Sequence, residues 1–297
     1  MTRVWSRLAE RPLWIMAPGL GLLLVIVGGP FLASGWISVI DLDQVSLRDW
    51  VDAPFVAAGN YLEAIRAAGM LHSLWVSVAF ALVTTAIAAP LGVLAALTVN
   101  GRFRGQALVR CIYLVPYVLP GFVTGLLWRF MLQPDGVVNR VLGTLGLGGG
   151  RNWLIGGNSF WSLVTVDVWA SWAFIYLMSL AGLQTISHEL YEAAEVDGAT
   201  TRDKLRYIVL PQLRGPLSLA LLLSTLQHFN NLTLPFVLFG VPAPDPVNLL
   251  PMNVYTTSFQ QFRFGLGAAM SMLTLVILVV PVGFYLRATR LDAVRED

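Results

Sequence analysis

Side chains capable of covalent or metal chemistry are scarce in this sequence, and their spacing excludes most of it. The 3 histidines stand at positions 72, 188 and 228, too far apart for a zinc-binding HxxxH pair. Cys111 is the only cysteine, which excludes an intrachain disulfide and a multi-cysteine metal site. The only lysine, Lys204, lies between Asp203 and Leu205, so the chain lacks the glycine-lysine-hydroxyl run that cradles ATP phosphates. What it offers instead is hydrogen bonding. Ser224, Gln227, His228 and Asn231 recur at i, i+3, i+4 and i+7, one face of a helix. Such donors and acceptors suit the hydroxyls of a solute, and they suit bonds between helices equally well. Asp167, Ser171, Phe174 and Met178 form a second stripe. Trp172 sits about 100° round the same helix, where it suits either stacking on a ring or packing.

The elements that carry these stripes must lie in lipid. Of 297 residues, 56% are hydrophobic and 12% charged, against about 25% charged in soluble domains. Mean hydropathy is +0.69. That excludes a soluble enzyme, a nucleic-acid module and a disordered regulator. Stretches at about 13–40, 73–99, 111–131, 160–183, 216–239 and 266–286 each approach the ~20 apolar residues a spanning helix needs. The first is too long for a cleaved signal peptide, and Trp14 and Trp36 near its ends read as interfacial anchors. The runs are continuous and do not alternate, which excludes an outer-membrane barrel. The fold class is therefore all-α, six transmembrane helices in a single domain over 1–297. Polar side chains are costly in lipid, so the two stripes should face protein or a cavity. Asp167 is a charge within a span and a functional candidate on that ground; the alternative is a place near the outer surface, paired with Arg129. Phe229 and Phe236 read as packing.

Orientation follows from the basic residues. Arg3, Arg7, Arg11, Arg102, Arg104, Arg110, Arg202, Lys204, Arg206, Arg214, Arg287, Arg290 and Arg295 fall on one side. Arg48, Arg66, Arg129, Arg140, Arg151 and Arg263 fall on the other, where Asp41, Asp43, Asp49, Asp52 and Glu63 oppose them. Both termini are expected in the cytoplasm. On the outside, a short amphipathic run around 137–147 within the Gly-rich connection 132–159 reads as a surface helix.

The cytoplasmic stretch 187–211 has its own local logic. Ser187 is placed to cap a helix, and Glu189 in its first turn suits the helix dipole. Asp197-Gly198 breaks that helix, Thr200 with Asp203 forms a capping box for a second, and Pro211 is expected to close it. The product is a helix–turn–helix of mixed charge at the membrane surface, suited to meeting another protein.

Here a resemblance is specific. Glu192-Ala193-Ala194, Gly198, Ile208, Leu210 and Pro211 stand at the spacing of the signature of ABC importer permeases, the inner-membrane components of binding-protein-dependent transport. The flanks Glu189-Leu190-Tyr191 and Val196-Asp197-Gly198-Ala199 resemble the carbohydrate-uptake (MalF/UgpA-like) branch. So do Gly59-Asn60-Tyr61 and Asn230-Asn231-Leu232-Thr233, so that the similarity covers about 13–290. The C-terminus lacks the Gly-Ala-Val-Lys-Gly ending of MalG-type chains, which places this one with the MalF type in its short form. Ile186-Ser187, Arg202 and Leu205 depart from the family's usual Ile-Pro, aromatic and Phe. The resemblance implies that Glu192, Ala193, Ala194, Asp197, Gly198, Ile208, Leu210 and Pro211 couple the chain to an ATPase subunit dimer, which would bind ATP and Mg, the chain itself binding no cofactor. It implies a second, MalG-type permease subunit, an extracytoplasmic solute-binding protein and a bacterial or archaeal cell membrane. No nucleic acid is expected. Ser171, Trp172, Phe174, Ser224, Gln227, His228 and Asn231, with Asp167 as a further candidate, become the expected path for a sugar or related polyol. Alternatives are a glycerophosphodiester or polyamine permease, or an ion-coupled secondary transporter. The last two want more intramembrane carboxyl groups than Asp167 alone.

Overall fold

A computed structural model describes residues 13–295 apart from Arg102. Of the residues used for orientation, Arg3, Arg7, Arg11 and Arg102 lie outside the described residues. The described chain is mainly helical, with isolated β-bridges at Ile40–Phe55 and Asp43–Arg263. It divides into two compact units, residues up to 68 with 257–275, and 69–256 with 276 onward.

The first unit opens with α1 (Leu13–Leu23) and α2 (Gly29–Ile37), joined by a π-helical turn at Leu24–Gly28. Together they give an apolar span, Met16–Ile37, none of whose most apolar window is buried by the rest of the chain. Helix α3 (Gly59–Arg66) is tied to the loop before it by side chains. Asn60 Nδ2 donates to the carbonyls of Ser38 and Ile40 at 3.0 and 2.8 Å. Arg263 grips Glu63 with both guanidinium nitrogens, Nη2 at 2.7 Å from Oε2.

The second unit is organised by α4 (Met70–Asn100) and α8 (Asn158–Gln184), which pack along one another. Gly92 permits that approach: a Cβ there would stand 2.8 Å from both Ile175 Cβ and the Tyr176 backbone nitrogen. Small residues at such crossings are a common device of membrane helices. Helix α11 (Leu210–Phe229) crosses both, with Gly182 of α8 against Leu213 and Pro216.

Between α4 and α8, the expected third span is broken. Helices α5 (Gln106–Val118) and α6 (Gly121–Met131) meet at 89°. Pro120 explains the break: the residue before a proline is pushed out of the helical region, and Leu119 is extended at φ −70°, ψ 131°. The outer connection forms α7 (Val137–Thr144), within the expected surface run.

After α8 come α9 (His188–Val196) and α10 (Thr201–Lys204). Pro211 does not close the second of these. The helix passes through it, by way of a π-helical turn at Leu205–Val209, so that the helix carrying the fifth span runs Thr201–Phe229 and begins earlier than the sequence suggests. A wider turn accommodates the missing N–H of proline, which here falls at the start of α11. The span is then interrupted at Asn230–Leu232 before α12 (Thr233–Phe239), which packs on α6, and α13 (Leu250–Tyr255) follows. Helix α13 is pinned to α4, Leu250 N–H donating to Ser77 Oγ (2.6 Å) and Asn253 Nδ2 to Ser73 Oγ (3.0 Å). Helix α14 (Phe264–Arg295) contributes to both units and carries the last span, Phe264–Arg287.

Candidate functional site: an exposed elbow and a buried polar joint

The expected helix–turn–helix is present as an elbow between α8 and α11. Ser187 occupies the N-cap position of α9 in extended conformation, but its hydroxyl accepts no capping bond. Gly198 turns the chain at φ +74°, a conformation that glycine adopts without cost. The capping box forms as its residues suggest: Asp203 N–H donates to Thr200 Oγ1 (3.3 Å), and Thr200 N–H donates to Asp203 Oδ2 (3.0 Å). The Thr200 contacts hold the Asp203 carboxyl below its usual range. Across the turn, Lys204 Nζ donates to Glu195 Oε1 at 2.6 Å, and this lysine holds the Glu195 carboxyl low in the same way. The two arms are thus strapped together.

The inner side of the elbow is packed and its outer side is bare. Ile186, Tyr191 and Leu205 pack on a cluster that includes Ala96, Val99, Tyr176, Leu183, Val209 and Leu213, and burial raises the Tyr191 phenol above its usual value. Outward stand Glu192, Ala193, Asp197 and Gly198, all exposed, beside the apolar Leu190, Val196 and Leu210. Val196 is 89% exposed. Glu192 Oε1 lies 3.0 Å from His188 Nδ1, one helical turn back. Of the signature, Ala194 and Ile208 are half-buried and Pro211 is exposed.

Within the helices, the structure brings together Asp167, His228 and Asn231. Asp167 Oδ2 lies 2.6 Å from His228 Nδ1, both side chains almost wholly buried. Asn231 Nδ2 donates to Asp167 Oδ1 at 3.1 Å. The Phe80 ring meets the His228 ring edge-on at 6.4 Å. Arg129, the partner anticipated for Asp167, instead donates to the carbonyl of Val237 on α12 at 2.9 Å. The two polar stripes therefore split. Ser224 and His228 turn into the subunit's own core, Gln227 is exposed, and Asn231 is half-buried. Ser171 Oγ donates to the Asp167 carbonyl of its own helix (2.6 Å). Phe174 stacks on Tyr117 with centroids 6.3 Å apart, and Trp172 meets Tyr113 edge-on at 5.4 Å.

Tyr113 and Tyr117 were not anticipated, although two tyrosines at i, i+4 in an apolar span are a readable signal. Thr85 and Thr225, whose hydroxyls meet at 3.2 Å, carried no such signal. Among the described residues no group of His, Cys, Asp or Glu could hold a metal ion.

Residues 88–291 match the family described as binding-protein-dependent transport system inner membrane component. The chain is 32% identical over 281 residues to the trehalose/maltose transport system permease protein MalF of Thermococcus litoralis, covering 93% of this chain and 92% of that one. It is 29% identical over 294 residues to the sulfoquinovosyl glycerol transport system permease protein SmoG of Agrobacterium fabrum, covering 96% and 93%. Its fold is that of a chain in a bacterial ABC transporter involved in import of the acidic polysaccharide alginate: TM-score 0.77 at 18% identity, covering 97% of this chain and 98% of that one.

Proposed function

The chain belongs to the family of binding-protein-dependent transport system inner membrane components, and from that premise we propose that it is one of two permease subunits enclosing the path of an ATP-driven importer for a sugar or related polyol. It is a multi-pass membrane protein and a transport subunit. The observation that carries the mechanism is the elbow, strapped within itself, packed on its inner side and bare on its outer side. Its exposed Glu192, Val196, Asp197 and Gly198 dock on an ATPase subunit, with Ala193, Ala194, Ile208, Leu210 and Pro211 shaping that surface. ATP and Mg are held by the ATPase dimer, and hydrolysis belongs there.

The route from elbow to path is one helix. Thr201–Phe229 runs without interruption from the capped turn to the break at Asn230, about 43 Å at 1.5 Å per residue. A displacement of the elbow is delivered at the joint where Asn231 stands. Gln227 and Asn231, with Ser171, Trp172 and Phe174, supply donors, acceptors and ring faces to solute hydroxyls. Ser224 and His228 support them from behind, Asp167 with them. The solute is handed over by an external binding protein, a MalG-type subunit completes the enclosure, and both termini face the cytoplasm. The names of the relatives, trehalose/maltose and sulfoquinovosyl glycerol, support a carbohydrate. The single intramembrane carboxyl is already engaged by His228 and Asn231, which disfavours a polyamine site.

The test is to co-produce the chain with the permease, ATPase and binding protein encoded beside it, reconstitute the assembly, and measure ATPase stimulation with trehalose, maltose, sulfoquinovosyl glycerol, glycerophosphocholine and putrescine. Stimulation by one of the three carbohydrates is expected. Stimulation by putrescine alone would reject the reading.

A further inference from the structure

The break in the fifth span poses a physical problem that one side chain resolves. Around Asn230–Leu232 the helix is interrupted: the Asn230 and Asn231 N–H groups keep backbone partners in Leu226 and His228, but the first N–H groups of α12 lie beyond the break, where a donor left unsatisfied in an apolar environment is costly. The break is bridged by side chains. Asn231 Oδ1 accepts from the Leu234 N–H in the first turn of α12 (3.2 Å), while its Nδ2 is taken by Asp167 Oδ1 (3.1 Å). The other carboxyl oxygen of Asp167 meets His228 in the last turn of α11 (2.6 Å). One carboxyl group on α8 is therefore in close contact with the end of α11 and hydrogen-bonded, through Asn231, to the start of α12. Its own helix is braced at that level by Ser171, bonded to the Asp167 carbonyl.

We propose that Asp167 is a positioning residue, fastening the two halves of the broken fifth span to α8 and thereby fixing the orientation in which Asn231 faces the translocation path. With one oxygen and one N–H of the Asn231 amide committed to Leu234 and Asp167, its rotamer is set, and only its remaining donor and lone pair are left for solute. A buried carboxyl group is expensive in a membrane helix. Here it meets two partners, one at the end of α11 and one in the break that follows, 61 and 64 residues further along the chain. The inference rests on the preceding reading only for the assignment of Asn231 to the path.

The experiment keeps the two apart. The assembled importer carries Cys111→Ser, with spin labels on cysteines introduced at the exposed positions Gln212 and Thr233, one in each half of the span. Electron-electron distance measurement should give a single narrow distribution. Asp167→Ala should roughly double its width, and so should His228→Ala, which serves if the first variant does not assemble. Asp167→Asn keeps an oxygen toward Asn231 and offers an amide to the imidazole, and should restore a narrow distribution. Thr165→Ala, an exposed hydroxyl bonded within its own helix, should change nothing. An unaltered width in both alanine variants, or no recovery with Asn, overturns the proposal. In parallel, maltose and trehalose uptake are followed against concentration. A half-saturating concentration raised severalfold by Asp167→Ala, with a smaller change in maximal rate, supports positioning of a solute contact. A loosened joint with unchanged concentration dependence leaves the fastening in place and removes Asn231 from the path.

Discussion

At Gly198 the argument reduces to one dihedral angle. A Cβ there would meet open space, so the position is reserved for glycine by its φ of +74° alone and not by packing. Alanine would cost about 1–2 kcal/mol of backbone strain, whereas proline, fixed near −65°, cannot enter the turn at all. Gly198→Ala should accordingly retain most uptake, and Gly198→Pro should abolish it and weaken co-purification of the ATPase. Full uptake and an intact complex in the proline variant would reject the elbow as the docking element. This residue was legible because turns and caps act over a few positions, as they also do for Thr200 and Asp203. Asp167 was legible as a candidate but not in its partner. Arg129 was the plausible cation by depth along the chain, and nothing local to Asp167 indicates that His228 faces it across two helices.

For the elements, the elbow and the α4–α8 crossing carry separate predictions. Glu195 and Asp203 both have carboxyl groups held below their ordinary values of 4.5 and 3.8, by Lys204 and Thr200 respectively. A depressed value in the fold means that the contribution is full above the ordinary value and disappears as pH falls through the lowered one. Protection against amide exchange across 196–204 in the assembled complex, taken relative to the intrinsic rate at each pH, should therefore be high at neutral pH and fall below the ordinary carboxyl range. Lys204→Ala should lower protection at neutral pH and remove the Glu195 part of that pH dependence. A pH-independent protection factor would show that the strap and the capping box do not hold the turn. At the crossing, Gly92→Leu would drive carbon atoms into Ile175 and the Tyr176 backbone. Overpacking of this kind costs about 1–3 kcal/mol or more, to be seen as a lower melting temperature of the purified complex. Element boundaries were less legible than element types. The apolar run 111–131 hides a right-angled break, because hydropathy counts Leu119-Pro120-Gly121 by polarity while the backbone obeys the proline. Pro211 misleads in the opposite sense: a π-helical turn absorbs a residue that usually stops a helix.

The molecule as a whole is incomplete by design of its surfaces. Its charge is too sparse for water, its first span is buried by none of its own residues, and its bare elbow leaves Val196 and Leu210 exposed. Composition made the membrane legible at once; the signature around Glu192–Pro211 made the engine legible as something this chain lacks. The joint at Asn230–Leu232 is the part that only tertiary structure supplies, since Asp167 reaches His228 and Asn231 from a helix about sixty residues earlier in the chain. If the fifth span is a lever between elbow and joint, nucleotide must be consumed for net solute movement, and the chain alone must be silent. Proteoliposomes holding the full assembly with binding protein should accumulate solute against its gradient only when ATP and Mg are supplied on the elbow side. A Walker-lysine variant of the ATPase partner should abolish that accumulation while leaving the complex assembled. Accumulation driven instead by an imposed proton or sodium gradient, with the ATPase disabled, would make the elbow a bystander and assign the work to a coupled ion, for which the only intramembrane carboxyl, already bound to His228 and Asn231, would have to be the carrier.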